Sequence, residues 1–301
     1  MNLLNSYLNE SMNVSSTSLW SNCRPNVQRR INALLNNQAE YFRLRVNFYR
    51  QLKDLQDVYH PQFDEILQRR RKIIDGSDEP TEAEKEVHWP MTAISDSQRL
   101  HANHDLEHFW LVVLKNLDSD DYPIQPRDEL CLKYLIDIRC IVHPSNTFTL
   151  EFQFSPLNPF FDQTVLTKCY SMRLEFDQDK PYRSYDGPEI DRCEGCVISW
   201  KTGQNLTIRK RNKRVRDRTT GQIRFVQIEE SIRSFFDFFS PPLIPPAGID
   251  QMTDEEEQVQ LEMDIEFALF LKQHVLPKAI LYFTGEALPI FGYEDLTSSE
   301  S

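Results

Sequence analysis

The stretch from Pro25 to Asp75 constrains the fold of this 301-residue chain most strongly. From Pro25 to Tyr59 it contains no glycine and no further proline, and its apolar residues recur at alternating steps of four and three. Such spacing places the apolar side chains along one side of an α-helix. We call this stripe the seam; it consists of Val27, Ile31, Leu34, Tyr41, Phe48, Leu52 and Leu55, and it continues to Tyr59.

A second apolar stripe, the flank, lies about 100° further round the same helix. It consists of Leu35, Phe42, Val46 and Tyr49. The two stripes make an apolar arc that is too wide for one neighbour, and at about 1.5 Å per residue the uninterrupted helix is on the order of 50 Å long. We therefore predict that one stripe packs on its own domain and that the seam pairs with a second copy in a homodimer. The alternative is a single long helix that lies across its own domain.

The rest of the chain is predicted to follow in blocks. A polar tail (1–24), expected to be disordered, precedes the long helix (25–76). A variable polar connection (77–105), a folded domain (106–287) and a short polar tail (288–301) come after it. Within the long helix, Pro61 is expected to kink or interrupt the backbone, because proline lacks an N–H and clashes with the preceding turn.

Inside the folded domain, the apolar spacing changes from helical to alternating. Helical spacing occurs at Glu107–Asn116 and Arg127–Ile136, and alternation occurs at Phe148–Phe154 and Tyr170–Phe176. The alternating runs predict strands of an antiparallel sheet that is covered on one side. A short helix with core phenylalanines is predicted at Ser234–Pro246.

A last long helix is predicted to begin with a capping box, Thr253 as the N-cap and Glu256 three residues on. The side chains predicted to be buried on it are Val259, Met263, Phe267 and Phe270. Glu255, Glu262 and Glu266 share another face. That face is either simply solvated or part of an acidic surface for a cationic partner.

The net charge of −12 is unevenly distributed along the chain. Residues 205–224 hold eight Lys or Arg against one Asp, a local charge of +7, so −12 minus +7 leaves −19 on the remaining residues. An acidic surface repels nucleic acid and attracts basic macromolecules. The charge therefore favours a basic protein partner, although acidity can also serve solubility alone.

The basic stretch is predicted to lie in a β-hairpin at about 205–229, since alternating apolar residues flank it. Its cations are candidates for a nuclear import signal, with a nucleic-acid patch as the competing interpretation. Import is favoured because no aromatic residue lies inside the run to stack on bases. The import candidates are Arg209, Lys210, Arg211, Lys213 and Arg214.

Several classes of function are not supported. No apolar run approaches a membrane span and no secretory leader is seen, so we expect a soluble intracellular protein with reduced cysteines. His101, His104 and His108 lack a clear fourth ligand, and Cys193 and Cys196 lack a second pair, so we predict no metal and no cofactor. The cysteine pair is better interpreted as part of a tight turn at Gly195 with buried thiols than as a metal or redox site. Without a nucleophile motif, phosphate loop or paired carboxylates, we predict no catalytic residues and no enzyme.

Taken in order, the motifs resemble the nucleosome assembly protein family of histone chaperones, in particular its nucleosome assembly protein 1-like branch. The resemblance extends over about residues 24–287. The motifs that carry it are RRINALLNNQ (29–38), HFWLVVLKN (108–116), VLTKCYSMR (165–173), DGPEI with CEGC (186–196), SFFDFFSPP (234–242) and LYFTGEA (281–287).

The resemblance implies an α+β fold in which long helices of two copies pair antiparallel and each copy carries a four-stranded antiparallel sheet. It implies that a concave acidic underside binds core histones and that the basic hairpin carries the nuclear localisation signal. Our candidates for histone contact are Asp186, Glu189, Glu255, Glu262, Glu266 and Glu286. Family members often end in a long acidic tail, whereas only Glu294, Asp295 and Glu300 are acidic here after Glu286. Histone binding is therefore expected to depend on the folded domain.

The predicted function is a histone chaperone that assists nucleosome assembly and disassembly and histone transport, and shuttles between nucleus and cytoplasm. The predicted partners are core histones, a second copy of the chain and a nuclear import receptor, with no membrane and no sequence-specific contact to nucleic acid. Further association of dimers through the basic hairpin is left open. The alternative is a dimeric chromatin-associated adaptor that binds a non-histone basic partner.

Overall fold

The computed structural model describes residues 24–85, 106, 108–117, 122–174, 187–216, 223–241 and 255–287. These residues fall into two compact units. The first contains the long helix up to Val58 together with 173–174 and 187–189, and the second contains the rest. Most of the predicted tails and connection lies outside the described residues. Of the tails only Arg24 is described, and of the connection only the part up to Lys85.

The long helix, α1, runs from Pro25 to Ile74. It continues through Pro61, so the predicted interruption was wrong. Proline removes one hydrogen bond and crowds the turn before it. Here the exposed Pro61 ring lies inside a helix of 50 residues, which continues on both sides of it. Gly76, with a left-handed φ of 68°, follows the end of the helix closely.

Three consecutive arginines tie the last turns of α1, which belong to the second unit, to other residues of that unit. Arg69 donates to both carboxylate oxygens of Glu84 at 2.9 and 2.8 Å, and this contact, together with hydrogen bonds from Thr81, lowers the pKa of Glu84 to about 2. Arg70 donates to the backbone oxygen of Leu276, and Arg71 pairs with the carboxylate of Asp137 at 3.7 Å. The predicted connection after α1 therefore begins as an ordered segment.

The remaining elements give the α+β architecture that the sequence predicted. The helices are α2 (Glu82–Lys85), α3 (Phe109–Lys115), α4 (Pro126–Leu132), α5 (Glu255–Phe270) and α6 (Ala279–Thr284). The strands are β1 (Leu135–His143), β2 (Thr147–Phe154), β3 (Val165–Arg173), β4 (Glu189–Glu194), β5 (Ile208–Arg216) and β6 (Ile223–Ser231). A 3-10 helix, Phe235–Phe239, follows β6, and a π-helical turn, Leu271–Val275, extends α5.

Strands β1 to β4 form one sheet in sequential order, and β5 and β6 form a separate two-stranded hairpin. Strand β2 shows the strict alternation of buried and half-buried residues that the sequence predicted. Strand β1 was missed, and the helix predicted to reach Ile136 ends at Leu132. A register shift between Leu135 and Asp137 interrupts the alternation of β1, which hides the strand from a period-two search.

The core of the second unit is largely aromatic. The four phenylalanines of the 3-10 helix are all buried, as predicted, and the ring of Phe152 on β2 lies 5.1 Å from that of Phe239 and 5.7 Å from that of Phe238. Buried Asp128 fixes the start of the 3-10 helix, because its carboxylate accepts from the Ser234 hydroxyl at 2.7 Å and the Phe235 N–H at 3.0 Å. No helix in the part of the chain that the structure describes is long and apolar enough to cross a membrane.

Helix α5 follows its predicted pattern in part. Phe267 and Phe270 are buried and Met263 is half-buried, but Val259 is 55 % exposed, so its predicted burial was wrong. The buried face shifts instead to Asp264, Phe267 and Ala268. The predicted capping box at Thr253 and the side chain of Glu256 lie outside the described residues.

Candidate interaction surfaces

The seam of α1 is exposed to solvent along its length. Leu34 is 67 % exposed, Phe48 59 % and Leu55 55 %, and Leu52 still reaches 37 %. Val27, Tyr41 and Tyr59 are exposed as well, and Ile31 is half-buried. Because single folded chains rarely expose contiguous apolar surface of this extent, the seam is a candidate interface.

The flank, unlike the seam, is covered within the first unit. Phe42 and Val46 are buried, and the Tyr49 ring packs against Gly187, where an added Cβ would lie 2.8 Å from the ring. Arg45, at a polar position within the seam, turns toward Tyr49, with its guanidinium 5.9 Å from the centre of that ring. The structure thus confirms that one of the two stripes is covered by the chain's own residues.

The acidic candidates divide into three groups. Glu262, Glu266 and Glu286 are exposed in the second unit and form no ion pair within the described part of the chain. Glu189 is exposed but pairs with Arg173 at 3.0 Å in the first unit. Asp186 and the side chain of Glu255 lie outside the described residues. Glu262 and Glu266 stand one helical turn apart on the exposed face of α5, a spacing of about 6 Å between Cβ atoms.

Helix α5 is held on the sheet by a buried ion pair that the sequence did not reveal. Lys168 on β3 and Asp264 on α5 are both fully buried, and the Lys168 ammonium donates to the Asp264 carboxylate and to the backbone oxygen of Phe238. The same ammonium lies 3.9 Å from the centre of the Phe238 ring. Burial lowers the pKa of Lys168, while the Asp264 carboxylate opposes that shift.

Three further groups donate to Asp264. The hydroxyls of Tyr122 and Tyr170 lie 2.7 and 2.9 Å from its oxygens, and the Cys193 thiol lies 3.6 Å away. Burial raises the pKa of both Tyr170 and Cys193, so these groups remain protonated donors. The buried carboxylate is therefore satisfied on both oxygens, and it connects β3, β4 and α5, with α5 carrying the exposed glutamates.

The Cys-x-x-Cys segment packs into the core of the second unit at Cys193 and against it at Cys196. Cys193 is buried, with its pKa raised to about 12 by burial, and Cys196 accepts a hydrogen bond from the Thr167 N–H at 3.3 Å. Gly195 lies so close to the 3-10 helix that an added Cβ would be 1.9 Å from the Phe239 oxygen. Thiols with raised pKa values are poor metal ligands and poor nucleophiles.

Among the residues that the structure describes, no group of His, Cys, Asp or Glu is arranged to hold a metal ion. His108 instead places its Nδ1 atom 3.0 Å from the Lys133 oxygen. His101 and His104, the other two members of the histidine group, lie outside the described residues.

The basic stretch forms strand β5 of the hairpin, as predicted. Arg209, Lys210, Arg211, Lys213 and Arg214 are all exposed. Arg209 and Lys210 pair with Glu230 and Glu229 of β6 at 3.4 and 3.8 Å. The structure thus brings the import candidates together on one strand and neutralises the first two of them.

Comparison with known proteins finds one family over most of this chain. Residues 29–286 match the family described as nucleosome assembly protein. The chain is 38 % identical over 281 residues to nucleosome assembly protein 1-like 1 of Xenopus tropicalis, which covers 87 % of this chain and 70 % of that protein. It is 33 % identical over 282 residues to nucleosome assembly protein 1-like 4 of Homo sapiens, covering 87 % and 74 %.

A solved structure agrees with these sequence matches. Nucleosome assembly protein 1 from Plasmodium knowlesi superposes with a TM-score of 0.54 and 26 % identity, over 88 % of this chain and all of that one. The resemblance in sequence motifs is therefore accompanied by a resemblance in fold.

Proposed function

Because the chain belongs to the nucleosome assembly protein family, we propose that it is a histone chaperone that acts as a homodimer. It binds core histones through acidic side chains of its folded second unit. It assists nucleosome assembly and disassembly and carries histones between cytoplasm and nucleus. No bond is made or broken in this activity.

One observation within the structure supports the acidic contact most directly. Glu262 and Glu266 are exposed and form no ion pair in the described part of the chain, and Asp264 between them is fixed to β3 by Lys168. The two carboxylates therefore stand on a helix that cannot easily shift, and neither must break an internal contact to meet a histone lysine or arginine. Glu286 is a third exposed carboxylate of the second unit for which the described residues supply no ion pair.

The same electrostatics explain how cargo is released. Histone cations bound to the protein are shielded from premature contact with DNA. Duplex DNA carries about one negative charge per 1.7 Å of helix axis, a higher density than two carboxylates per helical turn of about 5.4 Å. Histones are therefore transferred to DNA when it becomes accessible, without any covalent step.

The dimer is supported by the seam, whose large apolar side chains are otherwise left in water. Pairing with the same seam of a second copy removes this surface from solvent. Nuclear entry is assigned to the hairpin cations, from Arg209 to Arg214, which an import receptor meets at an exposed strand.

Charge reversal on α5 tests the histone site. Glu262→Lys combined with Glu266→Lys is expected to weaken binding of purified core histones on the order of tenfold near 0.15 M salt, because two attractions become repulsions. Glu82→Lys with Asp162→Lys is the control for net charge, since it changes the same charge at exposed positions outside α5, where the carboxylates are paired with Lys85 and Lys201. Binding of the unmodified protein should weaken steeply as salt rises.

Unchanged affinity in the α5 variant, with a folded dimer, would remove these glutamates from the site. A plasmid supercoiling assay with purified histones tests the chaperone activity itself. Absence of histone binding and of supercoiling by the unmodified protein would support the adaptor function instead.

A further inference from the structure

The hairpin carries its cations on both faces. Residues directly opposite each other in an antiparallel pair share a face, and the register places Arg211 opposite Ile228 and Lys213 opposite Val226. Arg214, opposite Phe225, lies on the other face with Lys210. The hairpin is therefore positively charged on both of its faces.

The charge is uncompensated in one half of the hairpin. Near the base, where β5 begins and β6 ends, Arg209 and Lys210 are paired with Glu230 and Glu229. Further out, Arg211, Lys213 and Arg214 are exposed, and no ion pair to them is found in the described part of the chain. We call Arg211–Arg214 with Phe225–Ile228 the outer half; its β6 residues are Phe225, Val226, Gln227 and Ile228, none of them acidic.

An exposed aromatic ring lies among these cations. Phe225 is 73 % exposed and sits opposite Arg214 across the hairpin. From the sequence, the basic run lacked an aromatic residue, which favoured import over nucleic-acid binding. Strand pairing supplies the missing ring from the neighbouring strand, so the argument against nucleic acid no longer holds.

We propose that the outer half of the hairpin binds double-stranded DNA, by lying in a groove with its cationic faces toward the two phosphate rows. A two-stranded ribbon fits the major groove, which is about 12 Å wide, and an apolar ring beside the cations can contact the thymine methyl groups that line this groove. An acidic protein surface would contact only one face of the ribbon and leave the other face's charge unused. This contact goes beyond histone binding and involves none of the glutamates on α5.

The acidity of the whole chain does not prevent this contact. At about 3.4 Å per residue, Lys213 and Arg214 lie roughly 10 and 14 Å along the strand from the Lys210–Glu229 pair, whereas charges are screened over about 8 Å at physiological salt. These two cations are therefore little affected by the carboxylates at the base of the hairpin, whereas Arg211 directly follows that pair.

Fluorescence anisotropy with the full chain and a 20-bp random-sequence duplex tests the proposal. Arg211→Gln, Lys213→Gln and Arg214→Gln together remove three phosphate contacts. The slope of log affinity against log salt should become shallower by about 2.7, and affinity at 0.1 M salt should fall by at least about 100-fold. Arg209→Gln with Lys210→Gln is the control; it alters paired cations and should change the slope far less.

Phe225→Ala distinguishes groove binding from attraction by positive charge alone and from nuclear import. It should weaken duplex binding several-fold with an unchanged salt slope, while the nuclear fraction of the protein in cells stays the same. Histone affinity should be unaffected by any hairpin variant, so failure here is distinct from failure of the chaperone function. Circular dichroism and light scattering confirm that each variant is a folded dimer.

An unchanged salt slope in the triple variant would overturn the proposal. So would tighter binding of the corresponding 20-nucleotide single strand, which would indicate base stacking in place of groove contact. The proposal would also be overturned if Phe225→Ala weakened binding to heparin as much as binding to the duplex. That result would show that the Phe225 ring does not distinguish a DNA groove from another polyanion.

Discussion

Removal of the Lys168 ammonium is the sharpest test of how α5 is held. In Lys168→Met, the fully buried Asp264 carboxylate keeps the two tyrosine hydroxyls and the Cys193 thiol as donors but loses its countercharge. Breaking one side of a buried ion pair typically costs about 3–5 kcal/mol, since a charge remains uncompensated in the interior. We expect a loss of unfolding free energy in this range.

The reverse change removes the carboxylate. In Asp264→Leu the Lys168 ammonium keeps the Phe238 oxygen and the face of the Phe238 ring but no anion, and the hydroxyls of Tyr122 and Tyr170 lose their acceptor. A loss of about 3–5 kcal/mol is again expected.

The double variant leaves no buried charge. Its cost is that of the two unsatisfied hydroxyls, about 1–3 kcal/mol each. The two single variants together are expected to cost about 6–10 kcal/mol, and the double variant about 2–6 kcal/mol. The midpoints of these ranges differ by about 4 kcal/mol, which is the coupling energy that the double-mutant cycle should show.

Urea unfolding of the full chain, followed by circular dichroism and tryptophan fluorescence, measures these free energies. Protomer concentration must be held fixed because a dimer's stability depends on it. Lys85→Met is the control, since Lys85 is exposed and pairs with the exposed Glu82 carboxylate at 2.8 Å; a change within about 0.5 kcal/mol is expected there. If Lys168→Met costs less than about 1 kcal/mol, or the single effects simply add, the coupled buried pair is refuted.

Two further predictions concern the backbone and the seam. Gly195→Ala should destabilise the protein by about 2 kcal/mol or more in thermal unfolding, because its Cβ would lie 1.9 Å from the Phe239 oxygen. Gly203→Ala, where φ is +77° but no atom lies within 4 Å of the added carbon, should cost only about 1 kcal/mol, and equal effects would contradict the contact. Leu34→Asp with Leu52→Asp should shift the mass measured by light scattering from dimer to monomer, because charges are buried poorly in an apolar interface. The control, Asn36→Asp with Asn47→Asp, adds the same two charges at exposed positions outside both stripes and should leave the dimer intact; a dimer in both variants would remove the seam from the interface.

The long helix and strand β2 could be predicted because each repeats one period over most of its length. Strand β3 shows why other elements could not. It begins at Val165, whereas alternation was recognised only from Tyr170. The inward position before Tyr170 is Lys168, and a lysine at a core position makes the pattern look polar. Only the contact with Asp264, far along the chain, makes that burial possible.

The candidate surfaces were predictable to the extent that they depend on a single element. The seam and the glutamates of α5 follow from helical spacing; Glu262, Glu266 and the seam residues other than half-buried Ile31 are exposed in the structure. The pairing of Glu189 with Arg173, and the position of Phe225 beside Arg214, both require strand register. A register between distant segments is not encoded in local spacing, so sequence patterns alone could not show either one.

Composition also overstates the charge that is available to a partner. Asp264, Asp128 and Asp137 are buried and hold the fold together through internal donors. Reversing one of these would unfold the chain and remove binding for a trivial reason. Exposed carboxylates without an internal partner are few in the described part of the second unit, and Glu262 and Glu266 are neighbours among them. Histone affinity should therefore follow the charge of these unpaired residues, and it should respond little to changes of net charge made elsewhere on the surface.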